Sequence, residues 1–247
     1  MNLVVDIGNT LIKVAVVESD EVLFMQQAEV IGDVDFDMLR ERFPSLCRAI
    51  VASTAFSTAD VAALLREKGF DVLEMTSLTP MPIGNAYQSP ETLGVDRLAA
   101  AVAAVEVMGC KDCLVVDFGT AITIDLVEGG VYRGGNISPG ARTRFRALHD
   151  YTGRLPECTL TDEKLEYGST TSQAIEQGVM QGITYEIEGY ISHFLAQNVK
   201  ITLIFTGGEA KYFVKRIKNA IFANCELVIC GLNRILEYNA SIEQTNN

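Results

Sequence analysis

The sequence predicts an α/β protein of two lobes, each opened by a β-hairpin. The chain reads LVVDIG at residues 3–8 and LVVDFG at 114–119, and a second apolar strand follows both glycine turns. Its 247 residues are long for one domain and suit two lobes of roughly 120 residues each. Strand and helix patterns alternate after each hairpin. These observations indicate a duplicated half, with lobes at 1–110 and 111–247 and their boundary near residues 109–113.

The first half begins with a hairpin in which the apolar strands NLVVD and LIKVAVVE flank the turn IGNT. An amphipathic helix between two short apolar strands comes next. An alanine-rich helix then ends at Gly109. Its small side chains permit the close approach of another helix, either from this chain or from a partner subunit. The predicted elements are strands at 48–53 and 70–75 and helices at 58–68 and 97–108.

The second half repeats the hairpin with CLVVD, the turn FGTA and ITIDLV. The stretch GGNISPGA predicts a loop, and RTRFRALHD predicts a helix whose arginines form a solvated face. Apolar residues every three to four positions predict a long helix, and KITLIF predicts a buried strand before a TGGE turn. The predicted elements are a loop at 134–141, helices at 142–150, 172–197 and 212–221, and a strand at 200–205.

The composition is that of a globular protein. With 48% hydrophobic and 21% charged residues the chain can bury a large core. Its net charge of −12 repels phosphate backbones, which argues against nucleic-acid binding. The sequence shows no secretory signal and no apolar run long enough to cross a bilayer. We therefore expect a cytoplasmic protein that binds neither nucleic acid nor membrane.

Two of the six cysteines, Cys110 and Cys113, form a CKDC motif that is typical of zinc sites and redox pairs. A zinc site would need a second pair, and Cys225 and Cys230 have the wrong spacing and no nearby histidine. We therefore interpret the cysteines as reduced thiols without an assigned role.

The two glycine turns carry the residue types of a phosphate-binding site. Glycine lets the backbone approach a ligand and expose its N–H groups, while Asn9, Thr10 and Thr120 add short donors. Asp6 and Asp117, at the strand ends, suit a hydrated cation such as Mg²⁺. Asp-Gly turns are also common as plain turns, but two matching turns favour a polyphosphate held between the lobes.

Two further segments allow either a chemical or a structural interpretation. The TGG turn at 206–208 follows an apolar strand, where such turns either approach nucleotides or simply lead into a helix. In GVDR, residues 94–97, Asp96 would either cap the next helix or accept a hydroxyl proton while Arg97 holds an anion. A carboxylate positioned against an alcohol hydroxyl, with a phosphate group held on the other side of that hydroxyl, is the arrangement required for phosphoryl transfer.

Five motifs, in this order, resemble those of type III pantothenate kinases: DIGNT, GVDR, DFGTAITID, GGNISPG and TGG. The likeness spans nearly the whole chain, and Tyr87 and Thr171 also match positions of this family. The family belongs to the superfamily of acetate kinases, sugar kinases, heat-shock chaperones and actin. The resemblance implies two ribonuclease H-like (actin-like ATPase) lobes, each a mixed β-sheet flanked by helices. It also implies ATP-dependent phosphorylation of pantothenate to 4'-phosphopantothenate, the first step of coenzyme A biosynthesis.

The resemblance implies a role for each matching residue. Asp96 would be the general base for the pantothenate hydroxyl, and Asp117 would bind a monovalent cation, K⁺ or NH₄⁺. Asp6 would hold Mg²⁺, directly or through water, and the family forms homodimers with pantothenate at the subunit interface. The implied ATP-binding residues are Asp6, Ile7, Gly8, Asn9, Thr10, Leu11, Ile12, Lys13 and Thr120. The implied pantothenate-binding residues are Tyr87, Gly94, Val95, Asp96, Arg97 and Thr171.

Other functions on the same scaffold stay open at the level of sequence. One is a sugar kinase, an acetate kinase or a polyphosphate phosphatase, and another is a regulator or binding protein without catalysis. A regulator would be expected to lack the acidic residue near Gly94, and Asp96 is present. An actin-like filament protein would carry inserted subdomains for which this chain has no room.

Overall fold

A computed structural model describes residues 1–54, 57–196, 201–218, 220–222 and 226–245. Over these residues the backbone forms eleven β-strands and seven α-helices. The elements up to residue 106 are β1 (Asn2–Ile7), β2 (Ile12–Glu18), β3 (Glu21–Ala28), α1 (Phe36–Arg42), β4 (Arg48–Ser53), α2 (Ala59–Glu67), β5 (Asp71–Glu74), β6 (Gly84–Asn85) and α3 (Val95–Glu106). Those that follow are β7 (Cys113–Phe118), β8 (Ala121–Glu128), β9 (Val131–Pro139), α4 (Ala141–Asp150), α5 (Thr171–Ala196), β10 (Thr202–Thr206), α6 (Ala210–Val214), β11 (Ala220–Phe222) and α7 (Leu227–Thr245).

The chain divides into two compact units. The first comprises Met1–Lys111, Glu128–Arg133 and Glu226–Asn247, and the second comprises Asp112–Val127 and Gly134–Cys225. The lobes predicted from sequence differ from these units mainly in α7, which was expected in the second lobe. The helix packs instead on α3 of the first unit, because its apolar face is buried there.

The sheet of the first unit has the strand order β3-β2-β1-β4-β5. Its first three strands pair antiparallel, whereas β4 runs parallel to β1 and β5 runs parallel to β4. β1 is central and almost entirely buried, as its continuous apolar run predicts. Leu3, Val5 and Val14 from this sheet share a core with Leu39 of α1 and Leu65 of α2.

Over the described residues the second sheet has six strands in the order β6-β9-β8-β7-β10-β11, and the five strands from β9 to β11 repeat the order of the first sheet. The short strand β6 pairs with β9 at the edge. β7 pairs antiparallel with β8 and parallel with β10, and β11 runs parallel to β10. In its core the ring of Phe118 stacks on that of Phe213 with the ring centroids 4.6 Å apart. The repeated order confirms the predicted α/β architecture of two mixed sheets, each opened by a β-hairpin.

Two predicted elements of the second half differ from the structure. The predicted loop at 134–141 is mostly strand, because β9 continues to Pro139 alongside β8. The predicted helix at 212–221 is shorter, since α6 ends at Val214 and Ala220–Phe222 form β11, which pairs with β10. In both places strand pairing outweighs local sequence preference. The ends of two other predicted elements, residues 197 and 200, lie outside the described residues.

The alanine-rich helix α3 packs against α7 within the first unit. A Cβ atom added at Gly231 of α7 would lie 1.8 Å from the carbonyl oxygen of Ala99, so the two backbones are in direct contact. Of the two alternatives that the sequence left open, the close partner of α3 is therefore a helix of the same chain. Neither of these helices, nor any other among the described residues, combines the length and apolar character needed to cross a membrane.

Candidate active site

The first glycine turn, residues 6–10, joins β1 to β2 in the first unit. The Gly8 N–H donates to the Leu11 carbonyl at 3.1 Å, and this bond closes the turn. Asn9 and Thr10 are exposed at its tip. Asp6 lies directly opposite Lys13 in the β1–β2 register. The turn therefore presents two accessible polar residues beyond a cross-strand pair of opposite charge.

Asp6 is partly buried at the end of β1, and its surroundings raise the pKa of its carboxyl group to about 6. The main cause is the loss of hydration, which disfavours the charged form. Lys13 opposes this shift, and the negative charge of Asp96 adds to it. Two carboxylates of the predicted site therefore lie close enough to interact, and an added cation would relieve their repulsion.

We expect the substitution Asp6→Asn to stabilise the folded protein, with a gain that grows between about pH 4 and pH 6 and is complete above about pH 6. The native carboxyl has a pKa of about 6 against an ordinary value of 3.8, so the folded state binds more protons between these values and loses stability as the pH rises through them. One pKa unit corresponds to about 1.4 kcal/mol, so the gain in unfolding free energy should be about 3 kcal/mol at pH 8 and about 1 kcal/mol at pH 4.5.

Urea unfolding of both proteins at the two pH values measures this difference. The exposed Asp71 provides the control, since Asp71→Asn should change the unfolding free energy by less than about 0.5 kcal/mol at either pH. A gain for Asp6→Asn that is equal at pH 4.5 and pH 8 would contradict the assigned surroundings of Asp6.

The GVDR motif forms the start of α3. Gly94 occupies the N-cap position, and Asp96 lies within the first turn, so Asp96 is not the N-cap residue. Its Oδ1 atom accepts a hydrogen bond from the Arg97 backbone N–H at 2.8 Å. A Cβ atom at position 94 would lie 2.5 Å from this oxygen, so glycine gives the Asp96 carboxylate the room that it occupies. The carboxylate is thereby held over the beginning of the helix, partly exposed.

Arg97 and Tyr87 form the neighbouring part of the first unit. Arg97 is only 6% exposed, and its guanidinium lies 6.0 Å from the centroid of the Tyr87 ring, within the range of a cation–π contact. Tyr87 also packs against the fully buried Tyr132, with ring centroids 6.1 Å apart. Its backbone N–H donates to the Asn85 side chain at 3.0 Å. The structure thus brings these predicted pantothenate-binding side chains together.

The second glycine turn, residues 117–120, joins β7 to β8 in the second unit. Asp117 is partly exposed and Thr120 is exposed. The Thr120 carbonyl accepts a hydrogen bond from the Gly140 N–H at 3.0 Å and another from the Thr143 hydroxyl at 2.7 Å. The backbone of this turn is therefore fixed by the first turn of α4.

The TGG segment also packs on the second turn. Gly207 has a φ of +94°, and an added Cβ atom would lie 2.3 Å from Asp117 Oδ1 and 2.6 Å from the Phe118 backbone. Both the left-handed conformation and the close contact require glycine at this position. The two glycine-containing segments of the second unit are therefore one packed structure.

Thr171 begins α5 in the second unit and is exposed. It lines an apolar cavity of about 740 Å³ between α4 and α5, together with Leu148, Ile175 and Val179. No described residue of the predicted site other than Thr171 lines this cavity.

Sequence reasoning missed Glu209, which follows the TGG turn and is 8% exposed. The sequence contains one signal for it, a charged residue directly after a glycine turn at a strand end. Its ion-pair partner, Arg142, is 67 residues away in the chain, and no local pattern connects the two.

The described residues contain no cluster of three or more histidine, cysteine or acidic side chains suited to a metal ion. Neither Cys110 nor Cys113 forms a disulfide bond, and Cys225 lies outside the described ranges. A Mg²⁺ ion in a kinase is typically held by one or two carboxylates together with substrate phosphates and water, an arrangement that needs no such cluster.

The sequence model of the type III pantothenate kinase family matches residues 2–193 of this chain. A type III pantothenate kinase of Phocaeicola vulgatus is 40% identical over 240 residues, covering 97% of this chain and 99% of that protein. One from Bacteroides fragilis is 42% identical over 246 residues, covering 97% of this chain and 98% of that protein.

Solved structures share the fold at much lower identity. A Campylobacter jejuni protein, named for the Baf family of transcriptional activators, aligns with a TM-score of 0.60 at 22% identity. That alignment covers 97% of this chain and 99% of the other. A Listeria monocytogenes protein named as an N-acetylmannosamine kinase aligns with a TM-score of 0.52 at 14% identity over 96% and 99% of the two chains. The chain thus shares its fold with a sugar kinase, as predicted. The sequence matches confirm the resemblance read from the motifs: the chain belongs to the type III pantothenate kinase family.

Proposed function

We propose that this protein transfers the γ-phosphoryl group of ATP to the hydroxyl of pantothenate, with Asp96 as the general base. The product is 4'-phosphopantothenate, the first intermediate of coenzyme A biosynthesis, and the proposed compartment is the cytoplasm. The observation that carries the role of Asp96 is its position at the start of α3, held by the Arg97 N–H and within electrostatic reach of Asp6.

The proposed chemistry requires Asp96 to accept one proton. The pantothenate hydroxyl oxygen attacks the γ-phosphorus of ATP, the bond to the β,γ-bridging oxygen breaks, and the hydroxyl proton passes to the Asp96 carboxylate. Such reactions depend mainly on positioning and charge stabilisation rather than on covalent participation of the protein. The hydrogen bond from the Arg97 N–H supports this role because it fixes the orientation of the carboxylate.

We assign ATP phosphate binding to residues 6–13 and to Thr120. The exposed Asn9 and Thr10 offer short donors at the first turn, and Lys13 adds an ammonium group on the strand opposite Asp6. Thr120 offers an exposed hydroxyl at the tip of the second turn.

Two carboxylates fit the cations that the family requires. Asp6 suits Mg²⁺, because a cation would offset the charge that burial and Asp96 disfavour. Asp117 suits K⁺ or NH₄⁺, because its carboxylate is partly exposed at a turn whose backbone is fixed. Asp6 would hold the Mg²⁺ ion, which would supply positive charge to offset the negative charge that develops on the phosphates during transfer.

We assign the pantothenate pocket to Tyr87, residues 94–97 and Thr171, and propose that the protein is a homodimer. Tyr87, Asp96 and Arg97 are neighbours in the first unit. Thr171 instead borders the apolar cavity between α4 and α5. The homodimer is proposed because the chain belongs to a family whose resemblance implies a dimer with pantothenate at the subunit interface.

The test of the proposed reaction is a panel of phosphoryl acceptors. We expect the rate of ADP formation from ATP to be at least about a hundredfold higher with pantothenate than with sugars, acetate or water. The reason is that contacts to the whole pantothenate molecule stabilise the transition state, and the other acceptors lack these contacts. The same assay in Na⁺ and K⁺ buffers tests the monovalent cation. Equal rates with a sugar and with pantothenate would instead assign the chain to a different phosphotransferase activity.

A further inference from the structure

Glu209 is a buried acidic residue that the proposed reaction leaves without a role. Its side chain is 10% exposed, and it accepts a hydrogen bond from Arg142 Nε at 3.0 Å. The Ala141 backbone N–H also donates to the carboxylate, while burial raises the pKa of the carboxyl group. Glu209 thus binds the first turn of α4 through one backbone and one side-chain donor.

Glu209 also contacts the second turn through its own backbone. Its N–H donates to the Phe118 carbonyl at 3.1 Å. The Thr120 carbonyl accepts hydrogen bonds from two donors at the start of α4, the N–H of the N-cap residue Gly140 and the hydroxyl of Thr143. These bonds form a closed ring that runs from Phe118 to Glu209, on to the start of α4, and back to Thr120. The backbone between Phe118 and Thr120 is therefore fixed at both ends.

The start of α4 needs an acidic partner. Its first turn contains no acidic residue and carries Arg142 and Arg144, although positive charge is unfavourable at a helix N-terminus. Its N-cap residue, Gly140, has no side chain to cap the helix. Glu209 supplies a carboxylate to the Ala141 N–H and pairs with Arg142, whereas Arg144 pairs with Glu186. The arginines expected to form a solvated face are thus partly engaged by acidic residues.

We propose that Glu209 is a positioning residue that sets the affinity for ATP by holding the second turn through the start of α4. The proposal rests on the assignment of Thr120 to ATP. Glu209 acts through the backbone of residues 118–120, which α4 holds in place, and not by contact with the nucleotide. A change at Glu209 should therefore affect ATP binding and leave unchanged those pantothenate-pocket residues that lie in the first unit, Tyr87 and residues 94–97.

The test compares Glu209→Gln with the wild-type protein by calorimetric titration of ATP and by steady-state kinetics. Glutamine keeps the shape and one acceptor oxygen but removes the charge that holds Ala141 and Arg142. We expect the Kd for ATP to rise roughly tenfold, because displacement of a positioning group by about 1 Å can lower a rate or affinity by up to a hundredfold. The KM for pantothenate should stay within about twofold of the wild-type value.

Glu186→Gln is the matched control, because Glu186 is also partly buried and also pairs with an arginine of α4. Its Kd for ATP should stay within about twofold of wild type, since Glu186 makes no bond in the ring.

If Glu209→Gln does not fold, Arg142→Met is the second variant. It removes the exposed partner of the ion pair between Arg142 and the buried Glu209. A rise of about threefold in the Kd for ATP would support the proposal for that variant, and an unchanged Kd would overturn it.

Thr120→Ala separates this proposal from the placement of ATP. If Thr120→Ala weakens ATP binding and Glu209→Gln does not, the positioning role of Glu209 is wrong and the ATP site stands. If neither variant changes the Kd for ATP, both the placement of ATP at the second turn and the role of Glu209 are overturned.

Discussion

Asp96→Asn is expected to lower kcat for pantothenate phosphorylation by about a hundredfold to ten-thousandfold, the usual contribution of general acid–base catalysis. Asparagine keeps the size of the side chain and can still accept the Arg97 N–H bond, but it cannot take the hydroxyl proton. ATP binding should be retained, because we assign the nucleotide to the two glycine turns. Steady-state rates together with calorimetric ATP titration measure both quantities on the same protein.

Glu106→Gln provides the control for this substitution. Glu106 is the last residue of α3 and pairs at 3.8 Å with Arg234, so the change removes a carboxylate from the same helix at its far end. Its kcat should stay within about twofold of the wild-type value. If Asp96→Asn retained wild-type turnover, Asp96 would not be the base.

Gly231→Ala is expected to destabilise the protein by about 3 kcal/mol or more, the upper range for overpacking a well-packed core. The added methyl group would lie 1.8 Å from the Ala99 carbonyl oxygen and 2.5 Å from the carbon that bears it. These are backbone atoms of a buried helix, so the contact is relieved only if α3 and α7 move apart. Urea unfolding gives the difference in free energy.

Gly189→Ala in α5 is the opposite case and serves as the control. Gly189 is exposed, and an added Cβ atom there would have no neighbour within 4 Å. Alanine is favoured over glycine inside a helix by about 0.5–1 kcal/mol, so this variant should be more stable than wild type. Similar unfolding free energies for the two alanine variants would show that α3 and α7 are not packed as closely as described.

The hairpins and the first α/β stretch could be predicted from sequence because their signals are local. Alternating or continuous apolar runs on either side of a glycine turn give β1 with β2 and β7 with β8. β4 matches its predicted bounds of 48–53, and α5 begins within one residue of the predicted start. The repeated motif also predicted the duplication that the two matching strand orders display.

The elements that differ depend on contacts distant in sequence. The strand character of residues 134–139 comes from the neighbouring strand and overrides the glycines and proline that predicted a loop. The predicted helix at 212–221 gives way to β11 because β10 offers an edge for parallel pairing. The place of α7 in the first unit follows from the fit between Gly231 and Ala99, which no periodicity reveals.

The candidate site divides in the same way. Asp6, Asp96, Asp117 and Thr120 could be selected because ordered motifs mark them. The interaction between Asp6 and Asp96, which contributes to the raised pKa of Asp6, could not be predicted, because the two residues are far apart in sequence. The ring through Glu209 likewise joins three segments whose proximity only the folded chain provides.

The most direct test of the proposed mechanism is a crystal structure of the protein with pantothenate and a non-hydrolysable ATP analogue. The measured quantity is the distance from the nearer Asp96 carboxylate oxygen to the pantothenate hydroxyl oxygen that receives the phosphoryl group. We predict a distance of about 2.6–3.2 Å, the range for proton transfer to a general base. The mechanism would be contradicted if the Asp96 carboxylate pointed away from the pantothenate hydroxyl and the two groups were too far apart for a single water molecule to bridge them.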